Sequence, residues 1–300
     1  MRTGTALATG GLGMCFVGGS VAVSGLLRDA PVLTTQALRY AAAFAILLVA
    51  ARVTGRPVRR PRGREWLWLT GVAGSGLVLF NVALVQGSAH AEPAVLGVAV
   101  ASVPVLLALG GTGDRRIVLG GAVLVTAGAV LVEGGGRTDP QGLLWALLVL
   151  ACEAGFTLLA VPVLGRHGPW GVSVHTCWMA TVGLAVGGLL TEGPTAVTAL
   201  RPGHLLAVAY LTVGVTAVAF VLWYSAVGHL GAGRASLLTG VAPVAATLVG
   251  AALGAPVPGP RVWLGLALVG AGLAVGMRRS RRAAPAPAPV AAAIARPAEG

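Results

Sequence analysis

The sequence predicts an all-α polytopic membrane protein with ten transmembrane helices, arranged as two inverted five-helix repeats, on three observations. First, 56% of the 300 residues are hydrophobic and only 10% are charged, and the mean hydropathy is +0.86. Soluble domains carry about 25% charged residues, so this chain cannot cover a surface that faces water. Second, the apolar residues fall into ten runs. Third, the second half of the chain weakly resembles the first.

The ten runs are close to the length that crosses a bilayer. The hydrocarbon core is about 30 Å thick and a helix rises about 1.5 Å per residue, so a span needs about 20 apolar residues. Most connections are short, which makes neighbouring helices antiparallel, and only the 52–65 loop and the C-terminal tail have any length. The runs cover residues 4–27, 31–51, 66–89, 94–112, 116–133, 141–164, 170–191, 204–228, 233–254 and 261–277.

These runs divide the chain into three regions. Residues 4–133 hold the first five predicted helices, and residues 141–277 hold the second five. Residues 278–300 repeat Ala and Pro after a cluster of arginines, which predicts a disordered, Arg/Ala/Pro-rich cytoplasmic tail.

The formal charge of +12 is explained by membrane orientation. All 21 basic residues are arginines. If both termini are cytoplasmic, sixteen arginines lie on the cytoplasmic side and four on the other, as the positive-inside rule requires. We therefore expect a multi-pass protein of the cytoplasmic membrane and no nucleic-acid partner. The absence of lysine and the scattered cysteines predict no cofactor and no metal site.

The two halves share weak internal similarity. At an offset of 139 residues, His90 and Pro104 align with His229 and Pro243. At an offset of 144, a pair of glycines in each half also aligns: Gly121 and Gly128 with Gly265 and Gly272. Five spans per repeat is an odd number, so the second copy is upside-down relative to the first. Inverted repeats place a substrate site near the bilayer midplane and alternate its access by rocking.

One segment of the second half resembles a known family. It runs from Trp223-Tyr224-Ser225-Ala226-Val227 through residues 231–238 to Pro243, and it is similar to the EamA-type branch of the drug/metabolite transporter superfamily. The first-half counterpart, residues 83–104, is more divergent. The resemblance implies two EamA-like repeats, 4–133 and 141–277, in a secondary permease of small organic molecules. It also implies that the fifth and tenth helices are peripheral to the cavity, and it favours efflux.

Two ionisable residues lie deep inside predicted spans. Arg39 is about 12 Å and Glu153 about 18 Å from the same membrane face, by the helical rise. Charged groups in the bilayer cost at least about 2.5 kcal/mol and are candidate functional residues. We expect them to face one cavity and to pair in at least one transport state; the alternative is a static ion pair that fixes packing. Arg39 would bind a substrate carboxylate, and Glu153 would take up a proton or bind a substrate ammonium group.

Further polar and aromatic residues are assigned to the same predicted substrate cavity. Gln36 and Tyr40 share the helix face of Arg39, and Asn81 is preferred over Gln86 because it is deeper. The remaining assignments carry open alternatives, since a histidine can be satisfied by a backbone carbonyl near the cytoplasmic end and one of two adjacent aromatic residues can face lipid. They are His175, Trp178, Trp223 and Tyr224.

The prolines at equivalent positions of the two repeats, Pro104 and Pro243, are expected to kink the fourth and ninth helices and to contribute to gating. The predicted function is a secondary transporter that moves a small metabolite, amino acid or drug-like compound by alternating access, as an exporter. Its partners are a small-molecule substrate and the lipid bilayer, with proton coupling and a homodimer left open. The alternatives are a membrane-embedded enzyme using Glu153 and the histidines, or a non-transporting scaffold; no catalytic residue is assigned.

Overall fold

The computed structural model describes residues 3–110, 115–134, 136–254 and 258–278, without the side chains of Ser24 and Gly110. Over these residues the chain is helical, and the only extended pairing is an isolated antiparallel bridge between Ala91 and Thr138. The predicted disordered tail lies outside the described residues from position 279 onward.

Ten apolar helices follow one another in the described ranges. Eight are long and apolar enough to cross a membrane, whereas the fourth and tenth are shorter. This architecture is that of an all-α polytopic membrane protein. The helices are α1 (Thr3–Val23), α2 (Val32–Val53), α3 (Glu65–Gly87), α4 (Pro93–Leu109), α5 (Arg115–Glu133), α6 (Pro140–Leu158), α7 (Val161–Thr191), α8 (Pro202–Leu230), α9 (Ala232–Ala252) and α10 (Pro260–Gly276).

Proline defines where four of these helices begin. A proline at the first helical position has its φ angle already set, and its missing N–H would have no partner there. At α6, Asp139 adds an N-cap, since its carboxylate accepts from the Gly142 N–H at 2.7 Å. The four prolines are Pro93, Pro140, Pro202 and Pro260.

The sixth predicted span, 141–164, is interrupted in the structure. α6 ends at Leu158 and α7 begins at Val161, because Pro162 cannot donate a hydrogen bond to the carbonyl of Leu158. A second break within α7 lies at Gly168, whose φ of 64° is in the left-handed region that glycine tolerates. The turn between the sixth and seventh predicted spans therefore falls at Gly168.

Two helices contain π-helical segments that the sequence did not predict. Residues Ala73–Leu79 of α3 and Leu211–Val218 of α8 adopt π geometry. Segments of this kind are rare and often lie at functional sites. The two segments begin 138 residues apart and end 139 apart, close to the offset that aligns Pro104 with Pro243.

The helices that carry these prolines are also irregular. α4 is interrupted at Ser102, two residues before Pro104, and α9 contains a 3-10 turn, Leu237–Gly240, that ends three residues before Pro243. In each case the proline lacks the N–H that a continuous helix needs, so the backbone rearranges in the preceding turn.

Glycines bring α5 and α10 into backbone contact. A Cβ on Gly128 would lie 2.5 Å from the carbonyl oxygen of Gly265, and a Cβ on Gly121 would lie 2.7 Å from that of Gly272. Small residues allow such close helix approach in membranes. The four glycines are those that align between the halves at an offset of 144.

An ionic cluster connects the α1–α2 loop to the start of α8. Asp29 accepts hydrogen bonds from Arg201 at 2.7 Å and from His204 Nε2 at 3.1 Å. The second nitrogen of His204 accepts from the Arg201 backbone N–H at 3.2 Å, which assigns the Nε2 proton to the bond with Asp29. The cluster therefore joins the first half of the chain to the second.

This cluster predicts a pH effect on stability. The hydrogen bond from His204, with smaller contributions from the Asp29 backbone and Arg201, lowers the pKa of Asp29 below 3.8. A lowered pKa stabilises the folded protein above the unfolded-state value, and this contribution is lost as pH falls through the folded-state value. We expect Asp29→Asn to reduce the fall in apparent Tm below about pH 4. The unfolding of detergent-solubilised protein across that range measures it, and an unchanged acid slope would contradict it.

Candidate functional site

A cavity of about 480 Å³ lies among eight of the ten helices. Aliphatic and aromatic side chains form most of its wall, and a few ionisable and amide groups interrupt it. Five of the predicted substrate-cavity residues line it: Arg39, Tyr40, Asn81, Glu153 and Trp223. Pro243 lines it as well. Four predicted residues do not: Gln36, His175, Trp178 and Tyr224.

Arg39 reaches this cavity from α2 and is held by neutral groups. Its side-chain Nε donates to Thr216 Oγ1 at 2.8 Å, and an Nη donates to Gln36 Oε1 at 3.1 Å. Thr216 belongs to the π-helical segment of α8, and Thr212 of the same segment donates to the Arg39 carbonyl at 3.3 Å. Gln36 therefore contacts the Arg39 side chain and does not line the cavity.

The charge of Arg39 has no carboxylate partner in this structure. Within the described ranges, no Asp or Glu oxygen lies within 4.0 Å of its guanidinium, although the residue is 9% exposed. A buried cation usually pairs with an anion. The open donors of Arg39 thus offer a binding position for an anionic group inside the cavity.

Glu153 enters the same cavity from α6. It is half-buried and makes no hydrogen bond or ion pair to any residue that the structure describes. The expected pair of Arg39 and Glu153 is not formed in this conformation, and the static ion pair considered as the alternative is not formed either. Arg39 and Glu153 thus line one cavity without pairing with each other.

Aromatic side chains from α6 and α8 form one wall. The ring of Phe156 lies 5.0 Å from that of Phe220 and 5.1 Å from that of Tyr224, between centroids. Trp223 lines the cavity and donates to Thr157 Oγ1 at 3.2 Å. Tyr224 is fully buried behind this wall and donates to the Phe156 carbonyl, so it faces neither the cavity nor lipid.

Asn81 connects α3 to α2 at the cavity surface. Its side-chain amide donates to the Leu77 carbonyl at 2.5 Å and approaches the hydroxyl of Tyr40 at 3.4 Å. Leu77 lies in the π-helical segment of α3, where the backbone departs from the usual i to i−4 bonding. Both π segments thus supply polar contacts beside the cavity.

His175 and Trp178 lie elsewhere. His175 Nε2 bonds to the carbonyl of Arg59 at 2.9 Å, and Trp178 donates to His175 Nδ1 at 3.2 Å. The Trp178 ring meets that of Trp66 edge-on, with centroids 6.2 Å apart. These residues join α7 to the 52–65 loop. The contact of His175 with a backbone carbonyl matches the alternative given for this histidine in the sequence analysis.

The sequence reasoning missed Glu133. This last residue of α5 lines the cavity beside Gly97 of α4, where a Cβ would lie 2.8 Å from its carboxylate oxygen. Val125 and Ala129 of the same helix line the cavity too. The resemblance implies a peripheral fifth helix, and for α5 this expectation is wrong. Glu133 is the last residue of its apolar run, and no local pattern in the sequence distinguishes it.

The fold and the site together define the class of protein. Membrane-spanning helices enclose a cavity with unpaired charged groups, whose lining residues come from both halves of the chain. Among the described residues, no group of three His, Cys, Asp or Glu side chains could hold a metal ion. The arrangement is that of a membrane permease for small molecules.

Comparisons with known proteins find similarity to transporters. Residues 140–277 match the EamA-like transporter family. The chain is 29% identical over 255 residues to a probable terminal-alkyne amino-acid exporter of Streptantibioticus cattleyicolor, covering 81% of this chain and 82% of that protein. It is 24% identical over 253 residues to the uncharacterized transporter YetK of Bacillus subtilis, covering 79% and 76%. These similarities are to a transporter family and to transporters, and they support a permease that moves small metabolites.

A solved structure supports the fold separately. One crystal structure superposes with a TM-score of 0.78 at 22% identity, over 92% of this chain and 97% of that chain. At this level of identity the likeness concerns the fold alone.

Proposed function

We propose that this permease exports a small zwitterionic metabolite of the amino-acid class. The observation that carries the proposal is that Arg39 and Glu153 line one cavity and do not pair with each other. Arg39 has only neutral partners, and Glu153 has none among the described residues. Arg39 binds the substrate carboxylate and Glu153 binds its ammonium group, while Phe156 and Phe220 pack against an apolar side chain.

Transport proceeds by alternating access between two inverted repeats of five membrane-spanning helices, 4–133 and 141–277. The paired π segments and the paired glycines of α5 and α10 support this symmetry, since both features recur near the offsets that align the halves. The helix irregularities before Pro104 and Pro243 supply matched points where α4 and α9 bend during gating.

Both termini lie in the cytoplasm, and the protein resides in the cytoplasmic membrane. This orientation follows the arginine distribution. The cavity lining includes Glu133 at the end of α5 and Val21 near the end of α1, and both ends then face outward. In this orientation the cavity extends toward the outer side of the membrane, as in an outward-open state. Export as the direction is supported by the name of the amino-acid exporter that the chain resembles.

Substrate competition tests the proposed recognition. The assay measures transport of an apolar amino acid into vesicles that contain the purified protein. Two analogues are added as competitors: the N-acetyl derivative, which lacks the ammonium group, and the decarboxylated amine. We expect both to compete at least about tenfold more weakly than the zwitterion, because each leaves one buried charge unpaired. An amine that competes as well as the zwitterion would exclude Arg39 as the carboxylate site. Recovery of a chemically altered product would favour the enzyme alternative.

Glu153 is also the residue that we propose for proton coupling. In that case its carboxyl group takes up a proton instead of binding the substrate ammonium group. We expect Glu153→Gln to abolish the acceleration of transport by an imposed pH gradient, because the amide cannot be protonated or deprotonated. The matched control is Gln86→Glu, which adds a carboxyl on an exposed position of α3 outside the cavity. Full pH dependence in Glu153→Gln would refute the coupling role.

A further inference from the structure

A second cavity, of about 830 Å³, lies away from the first at the end of the molecule that carries the 52–65 loop. None of its lining residues lines the central cavity. Four of its six residues are arginines, and the others are a proline and a tryptophan: Arg59, Arg60, Pro61, Arg62, Trp66 and Arg166.

The loop that carries three of these arginines is fixed in place by backbone contacts. His175 bonds to the Arg59 carbonyl at 2.9 Å, and Arg166 donates to the Arg60 carbonyl at 3.3 Å. The Arg62 N–H donates to Glu65 at 2.8 Å, and Pro61 is buried. These bonds use backbone atoms, so the arginine side chains remain available on a loop of defined shape.

The positive charge of the cluster is only partly neutralised. Glu65 is its acidic neighbour, and its carboxylate already bonds Arg166 and His167. Within the described ranges, no carboxylate oxygen lies within 4.0 Å of the side chains of Arg59, Arg60 or Arg62, and all three are exposed. Three guanidinium groups on one fixed loop form a site for a multivalent anion, and guanidinium forks match phosphate geometry.

The neighbouring residues place this site at the membrane surface. Trp66 is 38% exposed and Leu67, next along α3, is 71% exposed. An exposed leucine beside a tryptophan at a helix start is typical of the boundary between hydrocarbon and headgroups. The arginines therefore lie at the level of lipid phosphates.

We propose that the Arg59–Arg62 cluster with Trp66 and Arg166 is a binding site for a phosphate group at the cytoplasmic surface. Two sources carry that chemistry there: the headgroup of an acidic phospholipid and a free phosphorylated solute. This site is separate from the transport cavity and does not depend on which substrate is carried.

Lipid binding to the purified full chain tests the proposal. Native mass spectrometry compares phosphatidylglycerol with phosphatidylcholine, and inorganic phosphate is tested by thermal stabilisation in phosphatidylcholine nanodiscs. We expect Arg59→Gln with Arg62→Gln to weaken phosphatidylglycerol binding at least about tenfold, since basic residues near an anionic surface act strongly on such lipids. The matched control is Arg115→Gln with Arg116→Gln, which removes the same charge from exposed positions outside the cluster and is expected to weaken binding much less, because neither residue lines the second cavity.

The outcomes separate the two phosphate sources and the alternative. Loss of phosphatidylglycerol binding in the cluster variant alone identifies an acidic lipid, whereas stabilisation by inorganic phosphate that the same variant abolishes identifies a soluble ligand. Equal losses in both double variants would overturn the proposal, because they would reflect overall charge. A wild-type chain that neither discriminates phosphatidylglycerol from phosphatidylcholine nor responds to phosphate would overturn it as well. If the glutamine variant fails to fold, Arg59→Lys with Arg62→Lys, which keeps the charge, takes its place in the comparison.

Discussion

Replacement of Arg39 by glutamine is expected to reduce transport by about a hundredfold while leaving the protein folded. Of the arginines that the structure describes, Arg39 is the one that is buried and lines the cavity, and its partners Gln36 and Thr216 are neutral. Removing one partner of a buried, hydrogen-bonded charge pair costs about 2–5 kcal/mol, and about 2.8 kcal/mol corresponds to a hundredfold change. Transport into vesicles at subsaturating substrate measures the effect.

Two further variants make this expectation specific. Arg28→Gln removes the same charge from an exposed position in the α1–α2 loop and is expected to transport normally. Arg39→Lys keeps the charge but loses the planar fork that bonds Gln36 and Thr216, so we expect an intermediate rate. Normal transport by Arg39→Gln, with correct folding shown by its melting curve, would refute a role in substrate binding.

The second large effect is expected in the contact between α5 and α10. A Cβ at Gly128 would lie 2.5 Å from the Gly265 carbonyl oxygen and 2.8 Å from the Val269 nitrogen. These are backbone atoms, so Gly128→Ala can be accommodated only if the helices separate. Overpacking of this kind costs about 1–3 kcal/mol, and we expect a value near the upper end, read as a lower apparent Tm in detergent.

The same helix offers a matched control. Gly120 has no atom within 4 Å of the position that a Cβ would occupy. Gly120→Ala therefore adds a methyl group without a clash, and the helix propensity of alanine favours it by about 1 kcal/mol. Opposite signs for the two substitutions are expected. Equal effects would show that the contact between α5 and α10 does not limit stability.

Several features of the site followed from depth in the membrane. Arg39 and Glu153 were chosen because a charge far inside a span is costly wherever the helix packs, and both line the cavity. Pro104 and Pro243 were expected to disturb their helices because proline lacks an N–H, and the structure has an irregularity just before each. Such inferences depend on one residue and its own backbone.

Other features depended on which helices meet. The spacing of His175 and Trp178 predicts a shared face of α7, but it cannot tell whether that face meets a cavity or the 52–65 loop, which covers it here. Tyr224 is buried behind Trp223 because Phe156 of a distant helix packs on it. Glu133 lines the cavity because Gly97, on another helix, leaves room for its carboxylate.

Composition and the length of the apolar runs were thus sufficient to predict an all-α membrane protein, the approximate helix boundaries and, among the described residues, two of the three charged residues that line the cavity. The effect of the bilayer on a residue depends on how deep the residue lies. That depth can be read from the residue's position within an apolar run. Packing determined the rest: the π segments beside the cavity, the separation of Arg39 from Glu153 in the cavity wall, and the arginine cluster on its fixed loop. These features arise from contacts between helices distant in the chain, and a linear pattern does not encode which faces meet.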